Sequence, residues 1–190
     1  NEEEPTVLHG YMSNAGFEDV RQIIAESLNR RFGTSFAAKN LIMTVGAASG
    51  LNVAFKTILN PGEEVIVFAP YFLEYGAYVR NYDGNLVEIS PDTTTFQPNL
   101  KEFEEKITPK TRAVIVNTPH NPTGVVYSEE IIRDIIKYCN NIIKYKITGL
   151  YIPPNILDDV YNILKDSENI YINKLLVGVE PIKKSIIKQT

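Results

Sequence analysis

The chain is poor in several features that would point to particular functions. It has a single cysteine, Cys139, so no disulfide can close within it. That fits a reducing compartment, and a cytoplasmic location is expected. No apolar run approaches the roughly 20 residues needed to cross a bilayer, so no membrane partner is expected. No signal peptide is visible, although the first residue is Asn rather than Met and the start therefore carries little weight. Clustered positive charge is also missing. The formal net charge is −4 and the pI near 5.3, and Arg30-Arg31 and Lys183-Lys184 are isolated pairs near the two ends rather than a stripe. Nucleic acid is not an expected partner.

What is present is enough apolar residue to fold. With 190 residues, 44 % hydrophobic and 22 % charged, the chain can bury a core and fits one domain, or one domain with an appendage. Apolar runs alternate with helix-like stretches. Phe17 to Phe32 repeats apolar residues at helical spacing through Val20, Ile23, Ile24 and Leu28, and Gly33 ends it. Leu41 to Val45 reads as a short buried strand, Gly46-Ala47-Ala48-Ser49-Gly50 as a tight turn, and Leu51 to Leu59 as a helix stopped by Asn60-Pro61-Gly62. The pattern recurs: a strand over Glu64 to Ala69, a helix over Leu73 to Tyr82, a strand over Leu86 to Ile89, and a short charged helix over Asn99 to Ile107. Strands alternating with helices of about ten residues predict an α/β fold, a mostly parallel sheet with helices on both faces.

The stretch that organises the rest follows the apolar run Ala113-Val114-Ile115-Val116. Asn117-Thr118-Pro119-His120-Asn121-Pro122-Thr123-Gly124 reads as the mouth of a buried strand. Pro119 and Pro122 stop any ladder or helix, Gly124 permits a reversal, and Ser128-Glu129-Glu130 starts a helix expected to reach Tyr145. Asn121 is thereby held at the carboxyl end of a strand, where open α/β sheets place their ligands. An isolated Asn-Pro-Thr-Gly is equally an ordinary turn, and the argument for a site rests on two further strand ends. A turn of small residues opening a helix, at Ala47 and Ala48, presents backbone N–H groups and a positive dipole end, the arrangement that holds a phosphate. It is neither a dinucleotide fingerprint, since the three-glycine spacing is absent, nor a Walker loop, since no Lys follows. At the next strand end Phe72, in Pro70-Tyr71-Phe72, offers a flat apolar face to a heteroaromatic ring. The Asn121 amide can bond a polar substituent on such a ring. Taken singly each residue is equally a matter of packing; together they address phosphate, ring face and ring edge. His9 and His120 are read as polar residues satisfied in their turns rather than as catalytic groups.

With these motifs in view, the sequence resembles the large domain of the class I/II aminotransferases, the fold-type-I enzymes that use pyridoxal 5′-phosphate. The likeness runs from about residue 8 to 135 and is carried by His9-Gly10-Tyr11 through Gly16 and Arg21; Thr44-Val45-Gly46-Ala47-Ala48-Ser49-Gly50-Leu51; Asn60-Pro61-Gly62-Glu63-Glu64-Val65; Pro70-Tyr71-Phe72 with Tyr75; Ile107 to Ile115; and Asn121-Pro122-Thr123-Gly124. The resemblance implies that the Ala47 and Ala48 backbone holds the cofactor phosphate, that Phe72 stacks on the pyridine ring and that Asn121 bonds its phenolic oxygen. It further implies that Tyr11 reaches the phosphate of a neighbouring subunit, hence a homodimer, and that the substrates are an amino acid and a 2-oxo acid.

The departures fall after residue 133. Ile, Lys, Asn and Tyr make up more than half of the last 60 residues and under a quarter of the first 130, so residues 1–135 are assigned to a partial transferase-like large domain and 136–190 to an unassigned, α-rich C-terminal segment. Within it, a helix is expected over Ile156 to Leu164 and short strands at Ile170-Tyr171-Ile172 and Leu175-Leu176-Val177. Asp158-Asp159-Val160-Tyr161 is similar to the family's Asp-Glu-x-Tyr, which would make Asp158 the partner of the pyridinium nitrogen and Tyr161 a second donor to the phenolic oxygen. Lys174 faintly echoes the Schiff-base lysine segment, but its Ser-rich context and following Arg are missing. No arginine occurs after Arg133 to clamp a substrate carboxylate. The chain alone is therefore expected to contact cofactor weakly and to turn over negligibly. Two rival functions are a carbon–sulfur lyase or aminocyclopropane-carboxylate synthase-like enzyme sharing this half-site, and a non-catalytic ligand-sensing domain.

Overall fold

The helical periodicity after Phe17 is realised as α1 (Glu18–Phe32), with Glu18 and Asp19 in its first turn and Arg30 and Arg31 in its last, each complementing the helix dipole. The computed structural model describes residues 10–141, 149–152 and 174–177. The chain divides into two compact units, residues 1–44 and 45–190.

In the first unit α1 stops where the Gly33 N–H closes on the Asn29 carbonyl. The helix buries Arg21, Ala25 and Phe32, whereas Val20 and Ile23 of the apolar repeat are exposed. Arg21 is buried because its guanidinium serves the backbone: Nη1 donates to the Ala38 carbonyl at 2.6 Å and Nε to the Gly16 carbonyl at 3.3 Å. One carbonyl precedes α1 and the other opens the 3-10 turn Ala38–Asn40, so the side chain ties the two ends of this stretch together. The strand expected over Leu41 to Val45 does not form. Ile42, Met43 and Val45 are 67, 43 and 93 % exposed. No strand among the described residues pairs with this stretch, and local bonds take its N–H groups instead, Leu41 to the Ala38 carbonyl and Met43 to that of Ala15. An apolar run gives β propensity, but a strand exists only where a neighbour supplies the ladder.

The second unit is a five-stranded sheet of β1 (Glu64–Phe68), β2 (Asn85–Ile89), β3 (Thr111–Ile115), β4 (Gly149–Ile152) and β5 (Lys174–Val177), in the order β2-β1-β3-β4-β5 with every pair parallel. Helix α2 (Gly46–Ile58) precedes β1, and α3 (Glu74–Arg80), α4 (Leu100–Lys106) and α5 (Glu129–Asn141) run between successive strands. Alternation along the strands sends Val65, Val67, Ala113 and Ile115 to one face, where they pack with Leu51 and Phe55 of α2 and Tyr75, Tyr78 and Val79 of α3. Phe68 points to the other face and meets Phe103 of α4 at 5.4 Å, which in turn meets Tyr138 of α5 at 6.0 Å. Both faces are covered, as the alternation of elements predicts for a parallel sheet. Two helix starts are fixed by side chains read from the sequence. Asn99 accepts the Glu102 N–H ahead of α4, and the Ser128 hydroxyl oxygen accepts the Ile131 N–H ahead of α5.

The strand order decides where a ligand can sit. From β1 the chain moves to β2 on one side; from β3 it moves to β4 on the other. The carboxyl ends of β1 and β3 therefore part at a topological switch point, and the crevice between their outgoing loops is the usual binding position of open α/β sheets. β4 and β5 bring part of the C-terminal stretch into the same sheet. Leu175-Leu176-Val177 is a strand, as expected, whereas Ile170 to Ile172, the helix over Ile156 to Leu164, Asp158 and Tyr161 lie outside the described residues.

Candidate functional site

Two of the residues singled out in the sequence emerge from the two strands of the switch point. β1 ends at Phe68 and leads through Ala69 and Pro70 to Phe72; β3 ends at Ile115 and leads through Asn117 to Asn121. Phe72 is 37 % exposed and its ring meets that of Tyr75 edge-on at 5.7 Å, which leaves a face available. Asn121 is exposed, and its side-chain amide bonds to no described residue. Gly124 closes the turn with φ +73°, a conformation in which a side chain would be strained, and its N–H donates to the His120 carbonyl at 2.6 Å. Pro70, Pro119 and Pro122 all follow cis peptide bonds.

Helix α2 delivers the third group. Its C-terminal neighbour Leu59 lies close to Gly84 and Val79, beside the amino end of β2, and Asn60-Pro61-Gly62 feeds directly into the amino end of β1. The helix packs along the sheet through Leu51 and Phe55, and its 13 residues run back about 20 Å, so its N-terminus is directed to the carboxyl ends of the strands. It starts at Gly46 with φ +75°, where only glycine is unstrained, and Val45 supplies no side-chain cap. Ala47 and Ala48 in the first turn are exposed and small. A helix start presents backbone N–H groups and the positive end of the helix dipole.

Near this rim two phenols and one imidazole are displaced from their ordinary values. Burial, and a 2.5 Å hydrogen bond donated to Glu88, push the Tyr71 phenol up to about 12. A bond to Glu74 does the same for Tyr78. Burial holds the His120 imidazole below its ordinary value, an effect the Phe68 carbonyl opposes. The sequence reading of His120 as a residue satisfied in its turn agrees with its contact to Thr123, but a second bond, to the Phe68 carbonyl 52 positions earlier in the chain, has no local signal. Asn117, unassigned from sequence, reaches the Tyr75 hydroxyl at 3.5 Å. Among the described residues no cluster of His, Cys, Asp or Glu has the makings of a metal site, and no helix is long and apolar enough to cross a membrane.

Tyr11 is wholly exposed in the first unit. His9, Asp158 and Tyr161 are outside the described residues. Lys174 opens β5 and pairs with Gly149, which pairs with Ala113, itself opposite Val65. Its backbone is therefore three strands from β1 and level with that strand's second residue, below the carboxyl rim.

A parallel sheet with helices on both faces defines the class as α/β. The family follows from comparison with known proteins: the model of aminotransferase class I and II matches residues 2–144, and the chain belongs to that family. It is 38 % identical over 128 residues to the aspartate/prephenate aminotransferase of Thermus thermophilus, covering 67 % of this chain and 33 % of that protein. It is 35 % identical over 156 residues to the aspartate aminotransferase of Thermotoga maritima, covering 81 % and 39 % respectively. A crystal structure of an aminotransferase from Eubacterium rectale superposes with a TM-score of 0.75 at 38 % identity, over 80 % of this chain and 39 % of that one. The chain thus spans about a third to two-fifths of the length of the relatives it matches.

Proposed function

We propose that this chain carries the pyridoxal 5′-phosphate half-site of an aminotransferase, and that the complete protein moves an amino group between an amino acid and a 2-oxo acid. The observation that carries the reading is the emergence of a partly exposed ring, Phe72, and an exposed amide, Asn121, that bonds to no described residue, from neighbouring strand ends at the switch point. These residues fit the group. The first-turn N–H groups of α2 hold a phosphate dianion, Ala47 and Ala48 keeping side chains out of its way. Phe72 covers one face of the ring and keeps water from it. Asn121 donates its amide N–H to the phenolic oxygen and so favours the anion there. Pyridoxal phosphate, when bound, supplies the electron sink for chemistry at the amino-acid α-carbon. Tyr11 is assigned to the phosphate of a second copy, and the chain to a homodimer.

Lys174 begins its strand away from this rim, which supports the expectation that the isolated chain binds cofactor weakly without turning over. The same placement favours a second reading, a domain that senses a ligand without transforming it. A titration of the chain with pyridoxal 5′-phosphate, followed by ligand absorbance, tests the first part. Saturable binding is expected, weakened about tenfold by N121A, the loss of one hydrogen bond to a charged group. A folded chain that shows no saturation, or an N121A variant that binds as tightly, sinks the reading. Amino-group transfer by the isolated chain would remove the sensing alternative.

A further inference from the structure

Beyond the pair Val67 and Ile115, β1 and β3 share no ladder bond, and the loops bearing Phe72 and Asn121 leave the sheet separately. One side chain spans the gap. His120 Nε2 lies 3.1 Å from the Phe68 carbonyl oxygen and Nδ1 lies 2.9 Å from Thr123 Oγ1. A carbonyl oxygen only accepts, so Nε2 carries the proton; Nδ1 is then an acceptor and the Thr123 hydroxyl donates to it. Thr123 Oγ1 in turn accepts the Val125 N–H at 3.3 Å. The donors run in one direction, Val125 to Thr123 to His120 to Phe68, from the far side of the turn to the last residue of β1. The backbone closes the same turn, the His120 N–H donating to the Val125 carbonyl at 2.8 Å. The imidazole is only 5 % exposed and stacks on Tyr127 at 5.4 Å.

We propose that His120 is a positioning residue: by bonding the end of β1 from the residue next to Asn121, it sets the spacing between the Asn121 amide and the segment that presents Phe72. What the two groups are spaced for rests on the function proposed above; the tether itself does not. Burial favours the neutral imidazole, the form that can donate at one nitrogen while accepting at the other. The link at Asn117 and Tyr75 is longer, at 3.5 Å, and joins the loop to α3 rather than to β1.

The test uses the full chain with H120A, H120Q and H120N. A glutamine amide reaches the position of Nε2 and keeps the bond to Phe68; an asparagine amide reaches only that of Nδ1 and keeps the bond to Thr123. Amide hydrogen exchange without ligand is read at Gly124 and Ala69, against Val65 and Val67 within β1. H120A and H120N are expected to exchange about tenfold faster at Gly124 and Ala69 only, as loss of one buried hydrogen bond implies, with H120Q close to the unsubstituted chain. Unchanged exchange, a rise shared equally by Val65 and Val67, or H120N matching H120Q overturns the tether, and the last comparison decides even if H120A does not fold. Titration with pyridoxal 5′-phosphate and its 3-deoxy analogue, which lacks the phenolic oxygen, then reads the positioning. H120N should weaken only the former, and equal losses for both overturn that role. Failure of the unsubstituted chain to bind either ligand refutes the proposed function, and the exchange pattern alone then decides whether His120 ties the two loops.

Discussion

The two ends of the sheet are built on opposite terms. At the amino end of β1 and β3 the charged side chains find partners within the chain. The ladder between β1 and β3 skips Arg112, which turns to form an ion pair with Glu63. Glu64 accepts from the Thr108 hydroxyl at 2.5 Å and from that of Thr111 at 3.3 Å, and Asn60 donates its N–H to Glu63 at 2.8 Å. At the carboxyl end the Phe72 ring and the Asn121 amide are exposed, and His120 ties the two central loops. One end holds the fold together; the other exposes the groups to which the proposed function assigns a ligand. Polar residues closer in sequence to the strands therefore do more for stability than those just beyond their carboxyl ends.

Substitutions that break this contrast can be ranked. At the amino end E63Q should have the largest effect, a loss of about 2 kcal/mol in urea unfolding at neutral pH, because Arg112 keeps its charge while the carboxylate facing it becomes a neutral amide. The Arg112 hydrogen bond holds the Glu63 carboxyl at about 2, below its ordinary 4.5. The unfolded chain therefore takes up the proton first. The stabilisation is complete above 4.5 and disappears as the pH falls toward and through about 2. Over that window E63Q should show a shallower loss of stability than the unsubstituted chain; coincident curves would remove the pair from the account. T111V should follow, at about 1 kcal/mol, since the Thr108 N–H loses its acceptor in a buried site. At the carboxyl end N121A should change stability by less than about 0.5 kcal/mol while weakening cofactor binding. A large stability loss in N121A would show that its turn is structural like the opposite end, and the contrast would fail.

Most elements were legible because their limits are local. Gly33 stops α1, Asn60-Pro61-Gly62 separates α2 from β1, and Asn99 and Ser128 begin α4 and α5 where side-chain capping chemistry places them. The places of Phe72 and Asn121 just past the strand ends were legible for the same reason, each following an apolar run and a proline within two residues. Leu41 to Val45 was misread because its apolar pattern is local but a strand's hydrogen bonds are not. In α1, the Arg21 side chain took a buried place that spacing had given to Val20 and Ile23, since three backbone carbonyls needed a donor more than the apolar groups needed cover.

By itself the sequence determined the run of helices and strands, the turns between them and the family likeness, all of which depend on residues near one another in the chain. Only the tertiary structure decided that β1 lies between β2 and β3, and hence that the switch point falls between Phe72 and Asn121. It alone also decided that His120 bonds Phe68 and that Arg112 meets Glu63, because strand neighbours and long-range polar pairs are chosen by the packing of the whole sheet.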